Sequence, residues 1–222
     1  MDTLVARLAT CIDGLLQLRP RVLVGIDGPD AAGKTTLADQ LAAALGPRAA
    51  RASTDCFHNP VAVRRHRGDL SPEGCYHDSF DYPALVHGLL APFATGKAHV
   101  RTQQYDYRHE EAANVYLPIP AESALVFDGI FLLREELRRY WTVAVFLDVS
   151  PDVSLRRGVA RDGRLFGSET EAERRYVMRY LPAQELYRAE ADPERAAHVV
   201  VDNADPGAAV IIRWSVPTLN DL

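Results

Sequence analysis

The sequence predicts an α/β fold in three layers, with a mainly parallel sheet between two layers of helices. Short apolar runs typical of buried strands alternate along the chain with segments of helical character, a pattern typical of a parallel sheet covered on both faces. The 222 residues suffice for one sizeable α/β domain and are few for two. We therefore expect a single domain over residues 1–222.

The first elements set up this alternation. Residues 3–18 place apolar side chains at helical spacing until a proline follows, which predicts an N-terminal helix. Residues 21–26 form a short apolar run typical of a buried parallel strand. Residues 34–45 are rich in Ala and Leu and precede a Gly-Pro pair, which predicts a second helix and its end. Residues 49–54 are a weaker strand candidate.

The middle of the chain departs from the alternation. Residues 55–80 show no regular pattern and contain several His, Arg, Pro and Gly, so we expect an irregular segment. So long an irregular stretch inside a compact domain is usually functional. Residues 83–93 are predicted to be a helix, and residues 98–107 and 114–119 to be the two arms of a hairpin that projects from the domain.

The remaining residues return to alternating strands and helices. Strands are predicted at residues 124–127, 143–149, 198–201 and 209–214, and helices at residues 152–161 and 171–189. The last of these helices is long and rich in charge.

Composition excludes several classes of protein. The formal net charge of −5 provides no global positive field for nucleic acid or an anionic membrane. No apolar run approaches the ~18 residues of a membrane span, and the N-terminal segment lacks the apolar core of a secretory signal. The three cysteines include no C-x-x-C pair, which argues against a disulfide framework and a zinc site. We expect a cytoplasmic protein.

Residues 28–35 read Gly-Pro-Asp-Ala-Ala-Gly-Lys-Thr and fit the phosphate-loop pattern G-x-x-x-x-G-K-[ST] between a predicted strand and a predicted helix. Glycines let backbone N–H groups wrap a phosphate, and the helix N-terminus adds partial positive charge. The expected ATP-binding residues are Gly28, Asp30, Ala31, Ala32, Gly33, Lys34, Thr35 and Thr36. Lys34 would reach the β- and γ-phosphates and the Thr35 hydroxyl would ligate Mg²⁺. The alternative is a Gly-rich turn that only begins a helix.

The motif predicts a P-loop NTPase fold that uses ATP and Mg²⁺, but it does not separate kinases from ATPases or regulators. The sequence contains no Asn-Lys-x-Asp motif for guanine, which counts against a GTPase. Other residues must decide between the remaining classes.

Two acidic residues follow predicted strands, at the edge where parallel sheets bind ligands. Asp55 comes after the second strand and is suited to take the proton of an acceptor hydroxyl. Asp128 follows another apolar run and resembles a Walker B residue that holds Mg²⁺. The alternatives are that Asp55 only caps the next turn and that Asp128 is an ordinary turn residue before Gly129.

Three motifs follow Lys34 in a characteristic order: Ser53-Thr-Asp-Cys-Phe57, Asp78-Ser-Phe-Asp81 and Tyr105-Asp-Tyr107. In this order and spacing, the chain resembles the uridine kinase/phosphoribulokinase family of P-loop kinases from about residue 20 to residue 203. The resemblance implies that Asp55 is the general base and that Asp78 lies near the sugar hydroxyls. It also implies that Phe80 and Tyr105 line the acceptor pocket.

Further residues carry the resemblance into a helical lid. Arg157 and Arg161 match the arginine-bearing helix that leads into the family's lid, where they would neutralise charge on the transferring phosphoryl group. Arg164 is a third candidate there, and His109 beside Tyr105 is a candidate substrate contact.

The expected domain has three named parts. Residues 1–19 form the N-terminal helix, about 55–120 the acceptor-binding region with its hairpin, and about 156–175 the lid.

The sequence therefore predicts a kinase that transfers the γ-phosphoryl group of ATP to a hydroxyl, with the 5′-OH of uridine or cytidine as first candidate. Uridine kinases usually show His-Pro where this chain has Tyr76-His77, and His109 comes one position earlier than their base-contacting His. Pantothenate, a sugar phosphate or nicotinamide riboside is therefore an alternative acceptor. A non-catalytic ATP-binding regulatory module is a further alternative, and a homo-oligomer is plausible.

Overall fold

The computed structural model describes residues 2–216, and Met1 and residues 217–222 of the expected domain lie outside them. Eight strands are described: β1 (Arg21–Asp27), β2 (Ala49–Ser53), β3 (His99–Asp106), β4 (Glu111–Pro118), β5 (Ser123–Asp128), β6 (Val143–Asp148), β7 (Val199–Asp202) and β8 (Val210–Trp214). The α-helices of the N-terminal half are α1 (Asp2–Leu16), α2 (Lys34–Leu45), α3 (Val61–Arg64), α4 (Pro72–Asp78), α5 (Tyr82–Leu85) and α6 (Ala91–Ala94). Those of the C-terminal half are α7 (Glu135–Arg138), α8 (Pro151–Asp162), α9 (Glu169–Arg175), α10 (Leu181–Ala191) and α11 (Pro193–Ala196).

Six strands form the central sheet in the order β2-β5-β1-β6-β7-β8. The first five of these strands are parallel, and β8 runs antiparallel to β7. The register pairs both Ile26 of β1 and Ser53 of β2 with Asp128 at the end of β5. The carboxyl ends of β1, β2 and β5 therefore meet at one edge of the sheet, as the sequence predicts.

The two faces of the sheet bury separate apolar cores. All seven residues of β1 are buried, as a central parallel strand requires. Alternate strand residues such as Val22 pack against helices α1 and α2 on one face. Their neighbours, such as Leu23, pack on the other face against the helices of the acceptor region and α10. The predicted three-layer α/β fold is thus confirmed.

Strands β3 and β4 pair only with each other, as an antiparallel hairpin outside the central sheet. Irregularities in the register interrupt the hairpin between Arg101 and Gln103 and between Gln103 and Tyr105. The predicted inserted hairpin is confirmed, with its turn at residues 107–110.

The prediction that residues 55–80 are irregular is wrong. The segment contains a 3-10 turn at Thr54–Phe57 and the short helices α3 and α4. Helix α4 begins where the Ser71 hydroxyl accepts a hydrogen bond from the Gly74 N–H and a proline occupies the first turn. Helices of four and seven residues are too short to show a helical period in the sequence.

Two predicted helices contain a π-helical segment. The helix predicted at residues 83–93 runs through α5, a π segment at Val86–Leu90 and α6, and that at residues 171–189 through α9, a π segment at Tyr176–Tyr180 and α10. Such segments often occur at functional sites. Within residues 2–216, no helix has both the length and the apolar character needed to cross a membrane.

Candidate active site

The loop between β1 and α2 has the backbone that its sequence predicts. Gly28, Ala31 and Gly33 all have positive φ angles, of 144°, 57° and 95°. A Cβ atom at Gly28 would lie 2.4 Å from the carbonyl oxygen of Leu147, so only glycine fits there. Helix α2 begins at Lys34, and its N-terminus faces the loop.

A pocket of about 500 Å³ lies over this loop. Its lining residues are Asp30, Ala31, Ala32, Gly33, Lys34, Thr35, Thr36, Ser53, Asp55, Asp128, Gly129, Ile130, Arg157 and Arg161. The pocket thus brings together the predicted phosphate loop, the predicted base, the predicted metal ligands and two of the predicted lid arginines. Gly28 does not line the pocket, and its role is to allow the backbone conformation of the loop.

Thr35 and Asp128 fit a Mg²⁺ site. The Thr35 hydroxyl donates a hydrogen bond to Asp128 Oδ2 at 2.7 Å. Asp128 Oδ1 is buried and has no hydrogen-bond partner among the described residues. Mg²⁺ prefers oxygen ligands and is usually held by one or two protein groups together with substrate phosphates and water. A buried carboxylate oxygen that makes no hydrogen bond to the described residues, beside a hydroxyl at the phosphate loop, meets that description.

Arg51 of strand β2 also reaches Asp128, and sequence reasoning missed it. Its Nη1 atom lies 2.8 Å from Asp128 Oδ1, although that nitrogen directs its hydrogen bond to the carbonyl oxygen of Ala52. Arg51 also forms an ion pair with Asp39 at 3.0 Å. The contact depends on the pairing of β2 with β5, so the sequence could indicate it only if the order of the strands were known.

Lys34 lies among acidic groups at the base of the pocket. Its ammonium group donates a hydrogen bond to the carbonyl oxygen of Pro29 at 2.6 Å. Burial lowers the pKa of Lys34, and the negative charges of Asp30, Asp27 and Asp128 oppose that effect. Burial in turn raises the pKa of Asp30, whose Oδ2 atom has no hydrogen-bond partner among the described residues. This side of the site can therefore accept a further polar partner.

Asp27, at the end of β1, is a second residue of the site that sequence reasoning missed. Its carboxylate accepts hydrogen bonds from the N–H groups of Gly28, Leu132 and Leu133, and from the Tyr187 hydroxyl. Burial raises the pKa of Asp27 to about 6, although these hydrogen bonds oppose the shift. Asp27 therefore ties the phosphate loop to the segment after β5.

Two further residues hold the phosphate loop from the outside. The Asn203 side-chain amide, after β7, donates a hydrogen bond to the carbonyl oxygen of Ala32 at 2.7 Å. The Ser154 hydroxyl of α8 donates one to the carbonyl oxygen of Asp30 at 2.7 Å. Both residues are buried. The sequence carries no local signal for either role, because each depends on distant parts of the chain meeting.

Asp55 faces the pocket and does not cap the turn that contains it. That turn is capped by the Ser53 hydroxyl, which accepts a hydrogen bond from the Asp55 N–H. The Asp55 side chain is 64% exposed, since it faces the open pocket, yet protein surrounds that pocket on several sides. The surrounding protein partly removes water from the carboxylate, and this burial raises the pKa of Asp55. The negative charge of Asp128 adds to the effect.

The arginines of α8 differ in their placement. Arg157 donates hydrogen bonds to the carbonyl oxygens of Asn203 and Ala204 at 3.0 and 2.8 Å. Arg161 forms an ion pair with Asp162 at 2.7 Å, and both arginines still line the pocket. Arg164 lies on the exposed segment after α8 and does not line the pocket.

The predicted acceptor residues do not line the nucleotide pocket. Asp78 forms an ion pair with Arg67 at 2.7 Å. Phe80 is buried, and its ring stacks on His58 with 4.6 Å between the ring centroids. In the hairpin, the Tyr105 hydroxyl donates a hydrogen bond to Glu110 at 3.2 Å.

His109, the remaining candidate contact, lies at the hairpin turn. Its side chain is 72% exposed and pairs with Asp106 at 2.8 Å, and the hydrogen bond to the Asp106 carboxylate raises the pKa of His109.

His58 connects the acceptor region to Asp55, and sequence reasoning missed it. Its ring packs between Phe80 and Tyr107, with 4.5 Å between the His58 and Tyr107 centroids. Nδ1 lies 3.1 Å from the Ser79 carbonyl oxygen, and since a carbonyl only accepts, Nδ1 carries the proton of the neutral ring. Nε2 lies 3.9 Å from Asp55 Oδ1. Burial lowers the pKa of His58 to about 4.

The sequence model of the Phosphoribulokinase / Uridine kinase family matches residues 23–203. The chain belongs to this family. The match spans the sheet from β1 to β7 and contains every residue that lines the nucleotide pocket. The recognition made from the sequence motifs is therefore confirmed, and the chain is a P-loop protein of a family of small-molecule kinases.

The similarity to individual proteins is modest, at 24–30% sequence identity for the three described next. A uridine kinase from Aeromonas salmonicida is 30% identical over 152 residues, which cover 64% of this chain and 68% of that protein. A pantothenate kinase from Rhodopseudomonas palustris is 25% identical over 94% of this chain and 65% of its own length. The solved structure of a possible uridine kinase from Bacillus stearothermophilus superposes with a TM-score of 0.66 at 24% identity, covering 87% of this chain and 98% of that one. That likeness shows the fold.

Proposed function

We propose that this kinase transfers the γ-phosphoryl group of ATP to a hydroxyl of a small molecule, with the 5′-OH of uridine or cytidine as first candidate. The observation that carries the proposal is the shared pocket. Lys34 and Asp128 at its phosphate side and Asp55 at its acceptor side line the same 500 Å³. A site that only bound nucleotide would not require an acidic side chain facing the acceptor.

Asp55 is suited to receive the proton of the acceptor hydroxyl. Burial raises its pKa, which makes it a stronger base than an ordinary surface carboxylate. Lys34 and the loop N–H groups would hold the phosphates. Mg²⁺, held by Thr35 and Asp128, would neutralise phosphate charge. Arg157 and Arg161 line the pocket from α8 and are placed to stabilise charge on the transferred group.

A nucleoside acceptor is supported by the aromatic side chains beside Asp55. The rings of His58, Phe80 and Tyr107 pack together, and the His58 ring lies within 3.9 Å of the Asp55 carboxylate. Phe80 and His58 cover each other, and Tyr107 is the partly exposed ring of the cluster that offers apolar surface to a flat nucleobase. Relatives of this chain include uridine kinases. Asp78, Tyr105, His109 and Arg164 remain proposed acceptor contacts that would act once the hairpin and lid close on substrate.

A second acceptor class is pantothenate or a similar alcohol. The pantothenate kinase relative aligns with 94% of this chain, against 64% for the uridine kinase relative. His109, the proposed nucleobase contact, is largely exposed and already paired with Asp106. The mechanism at Asp55 would be the same for either acceptor.

The test is release of ADP from Mg-ATP in the presence of single acceptors: uridine, cytidine, pantothenate, nicotinamide riboside and sugar phosphates. Asp55→Asn should lower the stimulated rate by about 10²- to 10⁴-fold, because it removes the general base. ATP affinity should stay within a factor of a few. Asp13→Asn, which removes a carboxylate on the remote helix α1, is the matched control and should leave the rate unchanged.

The outcomes separate the alternatives. Stimulation by uridine or cytidine supports the nucleoside kinase, and stimulation by another alcohol keeps the mechanism and changes the acceptor. If ATP binds but no acceptor stimulates release, or if Asp55→Asn retains the full rate, the proposal is wrong and the regulatory module is favoured.

A further inference from the structure

A second cavity, of about 400 Å³, lies at the opposite end of the sheet from the phosphate loop. It is lined by Arg19, Pro20, Arg21, Leu23, Ala94, Thr95, Gly96, Arg139, Tyr140 and Thr142. These residues come from the beginning of β1, the end of α6 and the segment that leads into β6. The cavity is therefore at the amino ends of the parallel strands, whereas the nucleotide pocket is at their carboxyl ends.

The lining of this cavity is strongly positive. It contains three arginines and no acidic residue. Arg19 donates to the Thr142 hydroxyl at 3.5 Å and Arg139 to the Tyr140 hydroxyl at 3.2 Å, both neutral partners. Among residues 2–216, no carboxylate lies within ion-pair distance, 4.0 Å, of Arg19, Arg21 or Arg139. Three arginines thus line one cavity without an acidic partner in the described part of the chain, although the net charge of the protein is negative.

The burial of Arg21 without a negatively charged partner among the described residues costs free energy. Its side chain is 7% exposed, and its Nε atom has no hydrogen-bond partner among the described residues. Its other nitrogens donate to the neutral groups Ser123 Oγ and the Lys97 carbonyl oxygen, and its guanidinium lies 5.0 Å from the Phe93 ring centroid. Burial lowers the pKa of Arg21, and no negative charge opposes that effect. A buried charge is normally paired.

We propose that this cavity binds a small phosphate-bearing anion. Guanidinium groups bind phosphate oxygens in pairs of parallel hydrogen bonds, and the exposed side chains of Arg19 and Arg139 both line this cavity. The buried Arg21 adds positive charge at its wall. A volume of about 400 Å³ lies in the range of small-molecule sites, so a diphosphate or a phosphorylated metabolite fits. Leu23 and the Tyr140 ring offer apolar surface for the remainder of such a ligand. The site is separate from the nucleotide pocket and does not depend on the proposed function.

The experiment is isothermal titration calorimetry with pyrophosphate on a Lys34→Ala background, which weakens phosphate binding at the nucleotide pocket. We expect one equivalent to bind at the arginine-lined cavity. Adding Arg19→Ala and Arg139→Ala should weaken it at least about tenfold for each arginine, because charge-assisted hydrogen bonds are lost. Both side chains are exposed, so these variants should fold. Arg138→Ala is the control, since Arg138 is an exposed neighbour that does not line the cavity.

Two results would overturn the proposal. One is the absence of measurable pyrophosphate binding to the Lys34→Ala protein. The other is binding whose affinity does not change with Arg19 and Arg139, or changes equally with Arg138, since such binding would lie elsewhere or reflect net charge alone. Thermal unfolding of each variant shows that the compared proteins are equally folded.

Discussion

Asp128 shows how one residue of the site is shared between two roles. One of its oxygens accepts from the Thr35 hydroxyl, and the other, without a hydrogen-bond partner in the described part of the chain, lies 2.8 Å from the Arg51 guanidinium. The ion pair with Arg51 offsets the charge that a metal ion would meet. We expect Arg51 to weaken metal binding in the free protein, so that the metal binds chiefly together with nucleotide phosphates.

Arg51→Leu should therefore tighten binding of Mn²⁺, used as a reporter for Mg²⁺, to the nucleotide-free protein. Two unit charges about 4 Å apart interact by roughly 1 kcal/mol in water and about 4 kcal/mol near a protein surface, so we expect the Kd to fall by at least about tenfold. Electron paramagnetic resonance of free Mn²⁺ during titration measures it. Asp39→Asn, which removes the other carboxylate partner of Arg51, should leave the Kd almost unchanged. Equal or weaker binding by Arg51→Leu would contradict the expectation.

At the scale of elements, helix α8 is positioned by the π segment that follows α9. The Tyr176 ring of that segment packs directly on Gly158 of α8, where a Cβ atom would lie 2.0 Å from the ring. The Tyr176 hydroxyl also donates to Asp162, the ion-pair partner of Arg161. Because Arg161 lines the pocket from α8, this contact sets the position of a proposed catalytic group.

Gly158→Ala should lower the free energy of unfolding by about 1–3 kcal/mol, because the added methyl group overpacks the contact with a rigid ring. Gly14→Ala is the matched control. Gly14 lies within α1, and apart from its own stretch of helix no described residue comes within 4 Å of the position that an alanine methyl group would take. The change there should raise stability by about 0.5–1 kcal/mol through helix propensity. Urea unfolding of both variants measures the difference. A stabilised Gly158→Ala protein would show that α8 and the π segment adjust freely.

At the scale of the whole molecule, the parallel sheet separates two candidate phosphate-binding sites. The phosphate loop lies at the carboxyl ends of the strands and the arginine-lined cavity at their amino ends. Strand β1 links the two, since it begins at Arg21 and ends at Asp27 beside the loop. The carboxyl end is the usual ligand-binding edge of open α/β sheets. The arginine-lined cavity is an addition to that common plan.

Ligand binding at the carboxyl edge should stabilise the whole fold. Since the unfolded chain has no phosphate loop, Mg-ATP at about 100 times its Kd should raise the free energy of unfolding by about 2.7 kcal/mol. Lys34→Ala should show little of this gain at the same Mg-ATP concentration, because it removes the buried ammonium that we propose binds the phosphates. Denaturant unfolding with and without Mg-ATP makes the measurement. An equal gain in both proteins would mean that ATP binds elsewhere.

The sequence by itself determined the fold class, the phosphate loop and the placement of Asp55 and Asp128 beside it. These features depend on local patterns: a fixed spacing of glycines, apolar runs, and acids that directly follow strands. The alternation of strands and helices predicts a parallel sheet, and the carboxyl ends of parallel strands lie at one edge. The acids that follow these strands were therefore expected at that edge. The predicted long helices and strands lie within a few residues of the observed ones, because local apolar patterns also define these elements.

Only the tertiary structure decided the rest. Arg51, Asp27, Asn203 and His58 join the site because strands and loops distant in sequence become neighbours, and no local pattern records such contacts. The short helices α3 and α4 escaped prediction because they are too short to show a repeated helical period. The arginine-lined cavity likewise combines three segments that lie between residues 19 and 142. The local spacing of residues predicts helices, strands and motifs, whereas contacts between charged residues that are distant in sequence depend on how the chain packs.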